Sequence, residues 1–315
     1  MLPLAQVQAD VLALVSALPV VELPSAEALG HVLAEDVIAE GDVPSFANSA
    51  MDGFALRAAD AGAPLRVIGR IGAGVSAETF LVGEGEAVRI MTGAPIPPGA
   101  DAVVMVERTT VRTNVSDNSG HDEVTVAGDV AVGDCIRRPG EDIRAGDVLL
   151  TAGTRLNALR LGVVASAGYA TVRVHRRPIV GVLSTGDELV DPPAPLKSPQ
   201  IRNSNRPMLL GLVAATGASA VDLGNVGDDE PALDAALAEG CARCDLVVTS
   251  GGVSMGDADL MKQRLTAVQV AIKPSKPLAY GVLHDTPVIG LPGNPVSAAV
   301  SFTLFAAPVI RMMFG

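Results

Sequence analysis

Tryptophan is absent from this 315-residue chain, which holds only two Tyr and six Phe. So little aromatic surface leaves almost nothing on which to stack bases. Basic residues are also scarce: 23 Lys and Arg face 35 Asp and Glu, a formal net charge of −12. Both shortages exclude a broad nucleic-acid-binding face. Cysteine is limited to Cys135, Cys241 and Cys244. Cys241 and Cys244 have redox spacing, but no second Cys or His pair follows to complete a zinc site, so they read as inert thiols. The four His (His31, His121, His175 and His284) fall in unrelated places, and no Ser–His–acid triad is suggested. No signal peptide is evident, and with few cysteines the expected location is the cytoplasm. No apolar run reaches the about 20 residues a bilayer requires. Val11–Val21 is short and contains Pro19, while Val296–Ile310 carries Ser297, Ser301, Thr303 and Pro308. Both are expected to be core helices, with no membrane involved.

What is present is apolar content of 49%, mostly aliphatic, enough to bury a substantial core in about two domains. Three apolar runs in the second half each end in a glycine-bearing polar turn. They are Ile179 to Glu188, Leu246 to Asp257, and Val288 to Pro295. Ligands of open α/β sheets bind outside the carboxyl ends of the strands, where such turns gather. Glycine allows close backbone approach, and N–H groups at helix starts attract anions. Two of the turns end in acids, so the three together suggest a site for a phosphorylated ligand with a metal.

The chain divides by texture. Leu4–Leu18 has helical spacing, and Ser25 is a candidate N-cap for a helix over Ala26–Ala34. Asp36–Pro44 is extended. From Ser45 to about Gly140, short strands (Leu65–Ile71, Ala87–Met91, Ala102–Val106 and Thr109–Thr113) alternate with Gly, Pro and Asp. Asn114–Asp122 is the mobile tip of a hairpin that returns through Glu123–Val126. Leu149–Val174 gives a strand, a helix near Ala158–Ala165 and a strand at Ala170–Val174. Beyond Arg177, strands at 179–183, 220–223, 246–249, 268–272 and 288–291 alternate with helices near 207–215, 231–239, 257–265 and 295–311. That pattern predicts a parallel sheet covered on both faces. The expected fold is α/β multidomain, in three parts: a small discontinuous α+β domain (1–44 with 141–176), a β-rich inserted domain (45–140), and a parallel α/β sheet domain (177–315).

Six motifs occur in order: Ser49-Ala-Met-Asp-Gly-Phe-Ala55, Thr92-Gly-Ala-Pro-Ile-Pro-Pro-Gly-Ala-Asp101, Gly140-Glu-Asp142, Ser184-Thr-Gly-Asp-Glu188, Ser250-Gly-Gly-Val-Ser-Met-Gly-Asp257 and Pro292-Gly-Asn-Pro295. Together they resemble the molybdopterin molybdenumtransferase family, which includes MoeA and the gephyrin E domain. The resemblance spans Val11 to Phe314. It implies that residues 177–315 are of molybdopterin-binding type, and that a homodimer shares the active cleft between subunits. It also implies a dispensing partner, the molybdopterin adenylyltransferase, and receiving partners, the enzymes that accept the finished cofactor. Family members usually continue into a further β-rich domain bordering the cleft, whereas this chain ends at Gly315, which puts full activity in question.

The reaction implied by the resemblance consumes adenylylated molybdopterin and molybdate, inserts the metal at the dithiolene and releases AMP. Mg²⁺ prefers carboxylate, phosphate and water oxygens and neutralises charge developing on phosphates. By resemblance its ligands come from Asp52, Asp142, Glu188, Asp228 and Asp259, of which Asp52, Glu188 and Asp142 are also catalytic. Asp187 beside Glu188, and Asp229 beside Asp228, remain alternatives; Asp257 reads as a helix N-cap. For the anions, Ser250, Gly251 and Gly252 offer backbone N–H groups, Thr92 and Ser184 offer hydroxyls, and Pro292 and Asn294 open the last helix. Lys273 and Lys276 lie on a segment stiffened by prolines. Catalysis is then metal-assisted attack by water or a molybdate oxygen, with positioning as the main contribution. Two other readings stay open: the adenylyltransferase itself, and a non-catalytic cofactor-binding scaffold.

Overall fold

The computed structural model describes residues 1–113, 122–252, 261 and 264–315. Two compact units emerge, one formed by Met1–Val37 with Leu150–Gly315, the other by Ile38–Leu149.

In the second unit, six strands form one sheet in the order Ala102–Met105, Gly53–Leu56, Glu86–Ile90, Leu65–Ile71, Asp122–Val126, Thr109–Thr113. All neighbours are antiparallel except Leu65–Ile71 against Glu86–Ile90. Successive side chains of a strand point to opposite faces, and here both faces are buried. Phe54, Leu56, Leu65, Val104 and Val124 pack on one side. Ala55, Ile71, Val88, Ile90 and Val103 pack on the other. The pairing of Thr109–Thr113 with Asp122–Val126 matches the expected hairpin; its tip lies outside the described residues.

The first unit contains a six-stranded sheet in the order Ser219–Val226, Ile179–Thr185, Leu246–Ser250, Thr286–Leu291, Pro277–Leu283, Thr266–Gln269. The first four strands are parallel, as the β/α alternation predicts. Pro277–Leu283 runs antiparallel to both its neighbours, Thr286–Leu291 and Thr266–Gln269, a departure from the wholly parallel expectation. The cause is local. Pro277–Leu283, absent from the sequence reading, is joined to Thr286–Leu291 by a two-residue turn in which His284 and Asp285 both take positive φ. So short a link permits only a hairpin.

Helices Asn205–Thr216 and Pro295–Met313 cover one face through Leu209, Val213, Phe302, Phe305 and Ile310, packed against Val180, Val182, Val248 and Ile289. Helix Glu230–Arg243 covers the other through Leu233, Leu237, Cys241 and Cys244. Burial pushes the Cys244 thiol up to about 11, so it stays protonated and serves as core. Pro295–Met313 is long and apolar enough to cross a membrane, but its core side is packed into this unit. It runs through a π-helical stretch at Phe302–Ala306 just before Pro308. Pro308 has no N–H to donate backward and its ring crowds the preceding turn, which a π-turn accommodates.

Two helix expectations fail near the amino end. The first helix stops at Leu12, and the Leu18 N–H donates to the Met313 carbonyl instead. Ser25 starts only a single 3₁₀ turn, Ser25–Glu27. Gly30 then takes φ +81, and Val32 and Leu33 run extended beside Arg155 and Val174. Both side chains are buried there, so tertiary pairing overrides a helical composition. An antiparallel ribbon of Val20–Pro24 with Thr171–His175 and the helix Ala158–Ser166 complete this unit.

Phe305 is 1% exposed within the larger core. Phe305→Ala is expected to cost about 3–5 kcal/mol in urea denaturation, through lost burial and the cavity left behind.

Candidate functional site

The register of the parallel strands builds the first site. Ser184 lies opposite Ser250, and Ser250 opposite Leu291, so three strands end in one row. The Ser184–Glu188, Ser250–Gly252 and Pro292–Asn294 turns leave from that row, at the carboxyl ends expected from sequence. The loop carrying Lys273 and Lys276 joins them. The antiparallel pairing of Val268 with Leu278, and of Ala279 with Gly290, brings it to the same end of the sheet. Both lysines are exposed. Their loop is pinned by the Val270 N–H to the Lys276 carbonyl (2.7 Å) and by the Ser275 and Ser301 hydroxyls in contact.

Two asparagines that sequence reasoning missed tie the turns together. The buried Asn205 Nδ2 donates to Ser250 Oγ (2.7 Å) and to the Gly293 carbonyl (2.7 Å). Asn203 Oδ1 accepts from Ser184 Oγ (3.2 Å) and from the Arg206 N–H (3.3 Å). Their signal was the polar run Arg202-Asn-Ser-Asn205 just before the helix expected near 207–215. Asn203 Nδ2, Asn205 Oδ1 and Thr249 Oγ1 are buried without a partner among the described residues. Such atoms cost about 1–3 kcal/mol each unless a ligand or water satisfies them.

The backbone donors are less open than expected. Gly251 donates to the Leu291 carbonyl (3.1 Å), leaving Gly252 as the free donor of that turn among the described residues. Gly251 takes φ +96, and a Cβ there would stand 2.6 Å from the Thr185 carbonyl oxygen, so only glycine fits. Asn294 Oδ1 caps the last helix, accepting from Val296 (3.1 Å) and Ser297 (3.3 Å), with Pro295 in the first helical position. Its side chain thus occupies two of the N–H groups expected to face an anion.

Beside this row, Asp187, Glu188, Lys197, Ser198, Pro199 and Gln200 line a cavity of about 450 Å³. Asp187 Oδ1 accepts the Asp228 N–H (3.1 Å), so it braces the neighbouring turn while Glu188 is left to the cavity. Asp229 caps helix Glu230–Arg243 through the Ala232 N–H (2.9 Å), which leaves Asp228 as the non-capping acid of that pair. Asp257 and Asp259 lie outside the described residues.

The second unit carries the remaining acids. Gly53, whose missing Cβ lets its strand lie against the Val104 backbone, places Asp52 at the strand entrance. Asp52 Oδ1 accepts both the Thr92 N–H (2.7 Å) and the Thr92 hydroxyl (2.8 Å). Those two bonds hold the carboxyl below its usual range, with smaller help from Arg70 and Arg89. The three side chains and the Gly53, Met91 and Val106 segments line a cavity of about 110 Å³. Asp142 instead pairs with Arg137, whose strand lies beside Asn48. That partnership raises the guanidinium's affinity for its proton. Among the described residues no three His, Cys, Asp or Glu side chains converge to hold a metal ion. Mg²⁺ needs only one or two carboxylates when substrate phosphates and waters complete its shell, and the Asp187–Glu188 cavity fits that need.

Comparison with known proteins decides the family. Residues 2–168 match the model of the MoeA N-terminal region (domains I and II), and residues 181–312 match that of a probable molybdopterin binding domain. The chain belongs to the MoeA family of molybdopterin molybdenumtransferases. The Haemophilus influenzae molybdopterin molybdenumtransferase is 42% identical over 297 residues, covering 92% of this chain and 72% of the relative. The Bacillus subtilis enzyme is 40% identical over 299 residues, covering 90% and 68%. The crystal structure of the molybdopterin biosynthesis MoeA protein from Pyrococcus horikoshii superposes with a TM-score of 0.82 at 30% identity, over 100% of this chain and 80% of that one. This MoeA-family chain therefore has the multidomain α/β fold expected from its motifs.

Two tests follow from the geometry. Thr92→Val removes a hydroxyl donor and is expected to raise the Asp52 pKa toward the ordinary aspartate value, read by carboxyl NMR titration. Asn205→Ala strips Ser250 and Gly293 of their shared donor, at a cost of about 1–3 kcal/mol in chemical denaturation. It should also speed hydrogen exchange at residues 250–252 and 292–294; unchanged exchange would mean that strand pairing alone holds the turns.

Proposed function

We propose that this chain works in molybdenum cofactor biosynthesis by inserting molybdate into adenylylated molybdopterin, with release of AMP. The observation that carries the reading is the single row of strand ends, where Ser184, Ser250 and the Pro292–Asn294 turn meet beside the Asp187–Glu188 cavity. The family's named activity supplies the reaction class. In this reading Ser184, Ser250, Gly252 and the Pro292–Asn294 turn hold the pterin and phosphate, and Lys273 and Lys276 reach over them as anion contacts.

Mg²⁺, when bound, would neutralise charge building on the phosphates as the phosphoanhydride is cleaved. Glu188, with Asp187 or Asp228 beside it, would hold it in the first unit. Asp52 and Asp142 are the acids of the second unit assigned to the reaction, and Asp259 completes the set. With no activated nucleophile, the chain's own residues act by orienting the phosphate for in-line attack by water or a molybdate oxygen. We place this chemistry in a homodimer in the cytoplasm, receiving substrate from the adenylyltransferase and passing cofactor to the enzymes that use it.

The test measures AMP release from adenylylated molybdopterin with Mg²⁺, with and without molybdate. Release that depends on molybdate is expected in the wild type. Asp52→Ala and Glu188→Ala should abolish it while leaving the melting temperature within a few degrees. Wild-type turnover in both variants would sink the assignment, and AMP transfer from ATP without molybdate would replace it with an adenylyltransferase.

A further inference from the structure

Two arginines in the second unit have no role in the reaction as derived. Arg70 on Leu65–Ile71 lies directly beside Arg89 on Glu86–Ile90, in register in a parallel pair. Both guanidiniums line the cavity of about 110 Å³ that Asp52 also lines. Like charges on neighbouring strand positions repel, so a sheet does not place them together without compensation. Elsewhere on the same two strands the compensation is present: Arg66 pairs with Glu86. Arg70 and Arg89 form no ion pair among the described residues, and Arg70 reaches only Met91 Sδ at 3.5 Å. Asp52 stands in the cavity, but its Oδ1 is already taken by Thr92. Two guanidiniums against one carboxylate leave the cavity net positive within a chain of net charge −12.

We propose that Arg70 and Arg89 form a binding site for a tetrahedral oxyanion. Guanidinium forks match the paired oxygens of such ions and bind them in bidentate fashion. The cavity is many times the roughly 10–15 Å³ a water requires, so a four-oxygen ion fits. Asp52 at its wall repels an anion, but one carboxylate is outweighed by two guanidiniums. Two ions share this chemistry, molybdate and a substrate phosphate. Their role in turnover rests on the proposed reaction; their binding does not.

The experiment is isothermal titration of the full chain with sodium molybdate and, separately, inorganic phosphate. Comparison is made with R70Q, R89Q, the double variant and K273A/K276A. Both arginine side chains are exposed, and thermal melting confirms that the variants fold. Each single arginine variant should weaken binding about tenfold, as expected for one lost charge-assisted contact. The double variant should lose the site while K273A/K276A keeps it. Binding of molybdate but not phosphate assigns the site to the metal oxyanion, and the converse assigns it to the substrate's phosphate. Equal affinity in wild type and double variant, or no oxyanion binding by the wild type, overturns the proposal. Because titration reads binding without turnover, an inactive enzyme that still loses the oxyanion in R70Q/R89Q would sink the reaction and leave this site standing.

Discussion

The arrangement of the turns at the strand ends depends on the Asn205 side-chain amide. Strands that finish side by side still need their exits held, because a turn is tied at its ends and loose at its tip. One buried Nδ2 reaches a hydroxyl on the Ser250 turn and a carbonyl on the Pro292–Asn294 turn. Those turns lie far apart in sequence, and the strands that feed them are neighbours in the sheet. Gly251 completes the arrangement by accepting a backbone angle and a closeness to Thr185 that no side chain would allow. The site is therefore preorganised by neutral hydrogen bonds inside the protein, leaving charge to be met at its rim.

Charge is the harder problem, since an acidic chain must receive anionic ligands. Long-range attraction is not available, so each contact must be local. In the first unit Lys197 lies at the cavity, and the two lysines of the pinned loop lie at the carboxyl end of the same sheet. In the second, the two Thr92 donors do most to keep Asp52 ionised, with Arg70 and Arg89 adding a smaller share and neither forming an ion pair with it among the described residues. Asp142, by contrast, is held by an ion pair with Arg137.

Much of this was legible in the sequence for identifiable reasons. Three of the four parallel strands are apolar runs ending in glycine-bearing turns, a pattern with few other meanings; the fourth, Ser219–Val226, is interrupted by Asp222 and Asn225. The strand Leu65–Ile71 and the hairpin arm Thr109–Thr113 have the bounds their alternation predicts. The Ala26–Ala34 helix failed because Val32 and Leu33 take partners more than a hundred residues away, which local composition does not encode. Pro277–Leu283 was missed because its proline and glycine argue against a strand; Pro277 is tolerated because it is the strand's first residue. Asn203 and Asn205 were missed because a buried amide and a solvent-facing one look alike in sequence. Arg70 and Arg89 were missed for a related reason, as their register partnership exists only once the strands pair.

Half of the buried polar atoms left unmet among the described residues gather where the parallel strands end, the others being on His31, Asn48 and Arg177. Six buried side-chain polar atoms lack a partner among the described residues. Asn203, Asn205 and Thr249 stand at or beside the carboxyl ends of the parallel strands, and Asn48 pairs in register with Arg137, the partner of Asp142. The aliphatic cores behind them are closed and satisfied, down to thiols raised beyond reactivity. Each amide is half used: Asn205 Nδ2 and Asn203 Oδ1 hold the turns, while the other polar atom of each is left unpartnered among the described residues. Leaving such atoms unpartnered costs stability, and on the proposed function that cost is recovered when a polar ligand or water meets them.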